Sequence, residues 1–545
     1  MKRRDLLAVA TLPLLGCEKT NDISGAFTGI AFERGHWLKD GKAWPAPSAV
    51  HKTRVLIAGG GVAGLAAARA LRLKGMDDFA LLELEDEAGG NSRGGAVNGI
   101  ACPLGAHYLP VPSDDAPEVQ DLLEELGLRK RVAGRWEYDE RHLCHSPQER
   151  LFFKGAWQNG LLPVQGVGPA TLAQYQKFSD LVAAAQKTGK WTIPASKMPF
   201  ARVQHTLSAT TLIAFLDQNG LTDPHLRWYL DYCCYDDYGA GITTVSAWAG
   251  IHYFASRHGF HAPGRDDNEP VGVLTWPEGN AWLAHRMAAP IQERLFTGWI
   301  VLRIAVAKHG VEVDAFNPGT QTTHRWLAER CINALPIFIA ARVVDNPPDF
   351  LRDAAAGTRY APWLVANIHI KAPLQDRAGP APSWDNLIYG SDDSEAGRSP
   401  HGAGLGYVDA MHQSLLPVPG ATVLTHYRAL GDVPQGRKLL MDTPWAHWRD
   451  VILADLARAH PDIVSKTTRI DITRYGHAMA VPLPTSSGQT GRLPAWNMRN
   501  QLLKQERIKS APERQLFAHA DWAGYSIFEE AFTLGHAAGA TALMR

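Results

Sequence analysis

Hydrophobic and polar positions follow two different periods along the chain. Val55, Leu56, Ile57 and Ala58 form an unbroken apolar run, which is typical of a parallel strand buried on both faces. The next segment, "VAGLAAARALRLKG", keeps small and apolar residues at helical spacing, and the apolar run "FALLELE" follows it. This order of strand, helix and strand predicts a β-α-β unit within residues 53–110.

The rest of the chain changes period several times. Residues 111–270 are mainly helical in pattern, as in "DAPEVQDLLEELGL", where apolar residues recur every three or four positions before a glycine. Short apolar segments bounded by turns occupy residues 271–345, and strands and helices alternate over 346–470. Residues 471–545 return to a strand, a turn and a helix. These shifts predict an α/β fold with more than one domain.

The glycines after the first strand have the spacing of a dinucleotide-binding turn. Gly59, Gly61 and Gly64 match G-x-G-x-x-G. The first permits the tight turn, the second lets backbone approach a pyrophosphate, and the third lets the helix lie close to the sheet. Glu83, 19 residues after Gly64, has the spacing of an acid that binds a ribose, with Glu85 as the neighbouring alternative. The stretch predicts a bound dinucleotide.

The residues that follow resemble the flavin-containing amine oxidase superfamily, which includes monoamine and polyamine oxidases and phytoene-desaturase-like enzymes. "LELEDEAGGNSRGG" places Gly89 and Gly90 where the family has a turn over the FAD pyrophosphate. Asn91 occupies the position of the family's arginine, so the resemblance assigns the phosphate to Arg93. The implied cofactor is FAD.

Three further segments carry the same resemblance. "PLGAHYL" is similar to the segment that reaches the flavin, while "QLFAHADWAGYSIFEEAFTLGHAAG" is similar to the family's last strand, acidic turn and helix. "GWIVLRIAV" is similar to a strand that touches the adenine ring. The residues assigned to FAD in this way are Gly105, Ala106, His107, Val301, Asp521 and Ile527.

The resemblance implies a two-domain architecture. A discontinuous Rossmann-like FAD-binding domain takes in residues 53–110, 271–345 and 471–545. An α+β substrate-binding domain takes in residues 111–270 and 346–470.

The same resemblance implies oxidation of an amine, such as a polyamine, by hydride transfer to FAD. The catalytic candidates are Tyr475 and His477 in "RYGHAM", together with His107. Asn367 occupies the place of the family's lysine near the flavin, and Lys371 follows as an expected exposed residue at a strand end. Without that lysine, the reduced flavin is expected to react slowly with oxygen. A quinone or an electron-acceptor protein is then an alternative electron acceptor.

The segment "CCYDDYGAG" supplies candidates for the substrate pocket. Asp236 and Asp237 between Tyr235 and Tyr238 can hold a cationic amine through charge and cation–π contact. The same residues can instead cap a helix or turn and fill the core. Two other functions remain open: a desaturase or isomerase of an apolar substrate, favoured by 17 Trp residues, and a non-catalytic lipid-anchored flavoprotein.

Charge and cysteine usage narrow the possible partners. Lys plus Arg and Asp plus Glu each number 55 in the 545 residues, and no basic run indicates a nucleic-acid partner. The six cysteines have no metal-binding spacing, so we expect neither a metal site nor a disulfide framework.

The first residues have the features of an export signal. "MKRRDLLAVATLPLLGC" begins with twin arginines, continues with an apolar run too short to span a bilayer, and ends at Cys17 in a lipoprotein-like box. Residues 1–17 are therefore predicted to be a twin-arginine lipoprotein signal, and residues 18–52 a linker. We expect an exported protein, periplasmic or on the cell surface, anchored by lipid in a bacterial membrane.

Overall fold

The structure is a computed structural model that describes residues 22–199, 201–263, 272–390, 393–394, 397–398, 400–412, 414, 418–485 and 514–544. The predicted signal, including Cys17, lies outside the described residues.

The strands are Ser24–Phe27, Pro47–Ala58, Phe79–Leu82, Gly94–Val97, Ile100–Pro103, Tyr108–Pro110, Arg129–Val132, Arg135–Tyr138, Glu149–Phe153, Ala156–Asn159, Val273–Thr275, Leu295–Phe296, Ile300–Ala307, Gly310–Asn317, Thr322–Asn333, Arg359–Ile370, Asp385–Ile388, Asp393–Ser394, Gly397–Arg398, Ala403–Asp409, Thr422–Ala429, Thr467–Val481 and Gln515–Phe517. The α-helices are Phe32–Lys39, Val62–Leu73, Pro117–Glu125, Pro169–Thr188, Arg202–Ser208, Leu212–Gln218, Pro224–Tyr238, Ala247–Ala255, Ala281–Ala288, Ile337–Val343, Asp349–Gly357, Gly436–Asp442, Trp445–Ala457, Ile463–Lys466 and Phe528–Thr541, and the 3-10 helices are Ala195–Lys197, Ala289–Arg294 and Ala520–Ala523.

The first of two large sheets has seven strands and a parallel centre. Strand Pro47–Ala58 pairs in parallel with Phe79–Leu82 on one side and with Thr322–Asn333 on the other. Gln515–Phe517 runs parallel to the last residues of Thr322–Asn333. Since helix Val62–Leu73 connects the first two strands, the predicted β-α-β unit is present.

The second sheet gathers eight strands from distant parts of the chain. Its order from edge to edge is Ser24–Phe27, Thr467–Val481, Arg359–Ile370, Thr422–Ala429, Ala403–Asp409, Asp385–Ile388, Glu149–Phe153 and Ala156–Asn159. Apolar residues of this sheet pack against helices Pro169–Thr188, Pro224–Tyr238 and Ala247–Ala255 in one hydrophobic cluster. The fold is therefore mixed α/β.

The secondary structure differs from the predicted segments in two places, residues 18–52 and residues 471–481. Within residues 18–52, which were predicted to be a linker, Ser24–Phe27 forms the edge of the second sheet and Phe32–Lys39 forms a helix. The edge strand runs parallel to Thr467–Val481, which gives its backbone hydrogen-bond partners. Residues 471–481 likewise lie in the second sheet rather than with the last strand of the first sheet.

Helix Val62–Leu73 and the final helix, Phe528–Thr541, pack with almost no side chain between them. A Cβ on Gly535 would lie 2.0 Å from the Ala63 carbonyl oxygen, and one on Gly539 would lie 2.5 Å from that of Ala67. Larger residues would therefore push the helices apart. The first and last motifs singled out in the sequence are neighbours in space.

Arg150 is a buried cation in the second sheet, and its removal is expected to destabilise the fold. It donates to Asp376 Oδ2 and Asn386 Oδ1, each at 2.6 Å, and its guanidinium lies 3.9 Å from the Trp157 ring centroid. Arg150→Met leaves the Asn386 oxygen and the Asp376 carboxylate without this donor, so the free energy of unfolding should fall by about 3 kcal/mol. Thermal denaturation measures the change, and Arg135→Met on an exposed strand should leave Tm unchanged.

Candidate active site

The glycine turn has backbone geometry that larger residues cannot adopt. Gly59 has a φ of +102°, and a Cβ there would lie 2.9 Å from the Ala334 carbonyl oxygen. A Cβ on Gly64 would lie 1.9 Å from the Gly59 carbonyl oxygen. These two glycines are therefore required to close the turn and to seat the helix.

Gly61 is different, because the described protein leaves room beside it. A Cβ there would meet only the Gly90 Cα, at 3.8 Å. Gly61 also pairs with Gly89 in an isolated bridge, so three glycines line one gap before helix Val62–Leu73. That helix begins at Gly61 without a side-chain cap, which leaves its first N–H groups available to an anion. The gap fits a pyrophosphate.

Glu83 lies at the end of the second strand, where a ribose-binding acid is expected. Its Oε2 accepts from the Gly60 amide at 2.7 Å, and its Oε1 accepts from the Glu85 amide at 2.9 Å. Burial raises the pKa of Glu83, while the two amide hydrogen bonds oppose that rise. The Trp299 amide, just before strand Ile300–Ala307, donates to the Glu83 carbonyl oxygen at 2.8 Å. Val301 is buried in the core beyond it.

Arg93 points toward the same end of the site and is paired with Glu85 at 3.2 Å. The Glu85 carboxylate also accepts from the Ala31 amide at 3.2 Å. Asn91 does not replace the family's arginine as an anion ligand, because its side-chain amide donates to the Ala478 carbonyl oxygen at 2.8 Å. Arg93, three residues after Gly90 in the chain, keeps the phosphate assignment as a prediction.

Asp521 is held in a fixed, buried position after the last strand. Its Oδ2 accepts from the Tyr360 hydroxyl at 2.6 Å and from the Ile337 amide at 3.1 Å. His519 Nδ1 lies 3.2 Å from its Oδ1. Burial opposes ionisation, but His519 and these donors hold the pKa of Asp521 below its usual value. Ile527 then precedes the final helix as its N-cap.

His107 belongs to an aromatic wall next to Gly105. Its ring stacks on Tyr427 at 4.5 Å, with Trp384 5.4 Å away. The Tyr427 hydroxyl donates to the Gly105 carbonyl oxygen at 3.0 Å, and the Ala106 amide donates to the Asn91 carbonyl oxygen at 2.9 Å. Burial lowers the pKa of His107 to about 3, so its ring is neutral at physiological pH.

Of the other two catalytic candidates, Tyr475 lies near His107 and His477 does not. The Tyr475 hydroxyl donates to the Leu104 carbonyl oxygen at 2.8 Å, next to Gly105. His477 instead stacks on Phe338 at 4.2 Å in an outer cleft. The structure thus brings Tyr475 and His107 together and places His477 elsewhere.

A group of three carboxylic acids, two of which pattern analysis missed, lies beside the aromatic wall. Glu149 and Asp385 are direct partners in the parallel pairing of their strands, and Asp236 comes from helix Pro224–Tyr238. Burial raises the pKa of Asp236 to about 7 and that of Glu149 to about 6. Burial and the charges of Asp236 and Glu149 raise the pKa of Asp385 well above its usual value. None of the three forms an ion pair with any described residue.

Aromatic side chains surround these three acids. The acids' charges raise the pKa values of several buried tyrosines, although burial is the larger cause for each. These tyrosines are Tyr108, Tyr229 and Tyr232. Tyr108 also contacts His107 at 4.9 Å and Trp384 at 5.8 Å. The acids therefore continue the aromatic wall into an anionic region suited to a cation.

Asp237 does not belong to this unpaired group, although it follows Asp236 in sequence. Its carboxylate pairs with Arg257 at 2.9 Å and accepts from the Tyr525 hydroxyl at 2.5 Å. The flanking Tyr235 and Tyr238 hydroxyls donate to Asp432 and to the Ala249 carbonyl oxygen. Helical geometry therefore points the two adjacent acids in different directions: Asp237 takes part in an ion pair, and Asp236 does not.

Asn367 is part of the core rather than a replacement catalytic group. Its amide donates to the Pro103 carbonyl oxygen at 3.0 Å, and its oxygen accepts from Thr425 at 2.8 Å. Lys371 is exposed just after the strand. The five described cysteines are free. In the described parts of the chain, no cluster of acids, histidines and cysteines could hold a metal, and no helix has the length and hydrophobicity of a membrane span.

Comparisons with known proteins identify proteins of similar sequence or fold. A stretch of 160 residues is 37% identical to protoporphyrinogen oxidase 2 of Arabidopsis thaliana and covers 29% of this chain and 28% of that enzyme. A putrescine oxidase solved with putrescine bound shares the fold at 17% identity, with a TM-score of 0.64 over 91% of this chain and all of the other. A fatty acid isomerase from P. acnes shares it at 16% identity, with a TM-score of 0.60 over 90% of this chain and 99% of the other.

The family of flavin containing amine oxidoreductases matches residues 62–538. That range includes the first helix after the glycine turn, the aromatic wall, Asp521 and most of the final helix. The chain therefore belongs to the flavin containing amine oxidoreductase family and is an FAD-dependent oxidoreductase.

Proposed function

We propose that the protein oxidises an amine carrying at least one further positive charge, such as a diamine or polyamine. The observation that carries the proposal is the buried group formed by Glu149, Asp236 and Asp385, none of which forms a salt bridge with a described residue. Buried carboxylates are costly unless a cation accompanies them. An alkyl ammonium, which is charged at neutral pH like a lysine side chain, supplies that cation.

The wall around His107 supports the same function. The substrate nitrogen must be unprotonated to lose electrons, and FAD, when bound, supplies the two-electron oxidant. Neutral His107, stacked on Tyr427, gives that nitrogen an uncharged aromatic surface. The carboxylates hold the second nitrogen and orient the substrate. The Gly61 gap, Arg93 and Asp521 are the residues we assign to the pyrophosphate and the ribityl chain of FAD.

Apolar and anionic substrates fit these side chains less well. An apolar molecule would displace water from three acids without compensating their charge. A fatty acid would add a fourth carboxylate to the same region. The acids therefore favour an amine over the isomerase and desaturase alternatives.

The decisive experiment is anaerobic reduction of the purified FAD-loaded protein. Putrescine and spermidine should bleach the flavin absorbance at about 450 nm, benzylamine should do so more slowly, and linoleate should leave it unchanged. A linoleate-dependent change without any response to amines would sink the proposal. Adding oxygen or a soluble quinone to the reduced protein identifies the acceptor; with Asn367 in place of the lysine, we expect the quinone to react faster.

The acids predict how activity depends on pH. The cation binds the ionised carboxylates, whose pKa values are raised to about 7 for Asp236 and about 6 for Glu149. As the pH falls through this range the acids become protonated, so kcat/KM for putrescine should decrease below about pH 7. Steady-state rates between pH 5 and 9 measure the profile, with benzylamine as a reference whose acid limb should be shallower.

We also propose that the protein is exported and held at a membrane by lipid. The proposal rests on the twin arginines and Cys17 of "MKRRDLLAVATLPLLGC". Cell fractionation should find the wild type with membranes and the Arg3→Lys, Arg4→Lys double variant in the cytoplasm. Mass spectrometry that finds residues 1–17 intact on the wild type would refute it.

A further inference from the structure

An outer cleft of about 500 Å³ lies where helix Ile337–Val343, strand Arg359–Ile370 and the loop before Gly436 meet. Its size is within the range of small-molecule sites. The cleft is separate from the aromatic wall around His107, because it shares none of its lining residues with the cavity beside that wall.

One side of the cleft is a cluster of three aromatic rings. His477 stacks on Phe338 with ring centroids 4.2 Å apart and planes 20° apart. Tyr360 meets the edge of both rings, at 5.6 Å from His477 and 5.1 Å from Phe338. Burial lowers the pKa of His477 to about 4, so the stacked pair is uncharged at neutral pH. A planar apolar group can pack against such rings.

The cleft also carries positive charge. The cleft is lined by Arg359 and Arg437 and by no aspartate or glutamate. Each guanidinium uses one donor on a backbone carbonyl: Arg359 on Gly431, and Arg437 on Gly476 at 2.9 Å. Neither pairs with a described carboxylate, so most of their donors are available to an anion.

The cleft is connected through Tyr360 to Asp521, a residue assigned to FAD. Tyr360 forms part of its lining, and the hydroxyl of the same tyrosine donates to Asp521 at 2.6 Å. A ligand against Tyr360 would therefore be one side chain away from the carboxylate that we assign to the ribityl chain.

We propose that this cleft binds a small planar organic anion, an aromatic or unsaturated carboxylate, at a site distinct from the acidic group of Glu149, Asp236 and Asp385. The carboxylate lies between Arg359 and Arg437, and the planar group packs against the aromatic rings that line the cleft. This site is independent of which substrate the acidic group recognises.

Calorimetric titration of the FAD-loaded protein tests the site with benzoate, cyclohexanecarboxylate and benzamide as probes. Benzoate should bind with one-to-one stoichiometry, cyclohexanecarboxylate should bind at least about fivefold more weakly because it cannot stack, and benzamide should not bind because it lacks the charge. Equal affinity for all three probes, or no benzoate binding up to about 20 mM, would overturn the proposal.

Variants separate this cleft from the acidic group. Arg359→Gln and Arg437→Gln should each weaken benzoate binding by about tenfold, while Arg135→Gln on a distant exposed strand and Asp385→Asn in the acidic group should leave it unchanged. Tyr360→Phe should keep the affinity but abolish any benzoate-induced change in the flavin spectrum. A benzoate affinity that responds to Asp385→Asn and not to Arg359→Gln contradicts the assigned position.

Discussion

Replacing Gly61 with alanine is expected to give a folded protein that has lost most of its affinity for FAD. The φ of −69° at this residue suits any amino acid, and the new Cβ would stand 3.8 Å from Gly90 in ordinary contact. The same Cβ would enter the gap assigned to the pyrophosphate, and overpacking of this kind costs roughly 1–3 kcal/mol. FAD affinity, measured by fluorescence titration of the apoprotein, should fall between about tenfold and a hundredfold.

Gly64→Ala provides the contrasting control. Its Cβ would lie 1.9 Å from the Gly59 carbonyl oxygen, so this variant should lower the Tm of the apoprotein itself, whereas Gly61→Ala should not. If Gly61→Ala instead retains wild-type FAD affinity with unchanged Tm, the pyrophosphate lies elsewhere.

Asp385→Asn is expected to reduce kcat/KM for putrescine by about a hundredfold, since losing one partner of a buried charge pair typically costs 2–5 kcal/mol. Benzylamine has no second nitrogen for the acids to hold, so its kcat/KM should change far less. Glu149→Gln, on the paired strand, should show the same difference between the two amines, and Glu124→Gln on an exposed helix surface should affect neither. Equal losses for both amines would mean that the acids do not recognise a second charge.

Asp236→Asn should weaken activity yet stabilise the protein. Folding raises the pKa of this acid to about 7, so the folded state binds its proton more tightly than the unfolded state does. The contribution of that proton to the free energy of unfolding is fully present below pH about 4, the pKa in the unfolded chain, and is lost as the pH rises through about 7. Asparagine removes this loss, and Tm at pH 8 should therefore rise more than Tm at pH 5.

Local patterns in the sequence were sufficient for the parts of the site that are local in the chain. The glycine turn and Glu83 depend on one strand, one turn and one helix, and their spacing already predicts their roles. The assignment of Asp521 depended instead on the resemblance of the last segment to the flavin-containing amine oxidases. The structure adds that the helices next to these motifs touch through Gly535 and Ala63.

Local sequence patterns could not predict the acidic group of Glu149, Asp236 and Asp385, because it depends on pairing between distant strands. Glu149 and Asp385 are adjacent only because their strands pair in one register, and no local periodicity encodes that register. Tyr475 and His477 were both catalytic candidates because the resemblance places their segment at the flavin. The pairing register shifts between Ala361 and Trp363, opposite these residues, and such an irregularity redirects side chains.

The contact between helix Val62–Leu73 and helix Phe528–Thr541 imposes an order of events during synthesis. The ribosome must translate more than 450 further residues after the glycine turn before the second helix exists, as their positions in the chain show. A nascent chain that stops short of Gly535 would have half of a nucleotide cradle and no opposing wall. We therefore expect FAD to load after translation is complete, so that a shortage of flavin leaves full-length apoprotein.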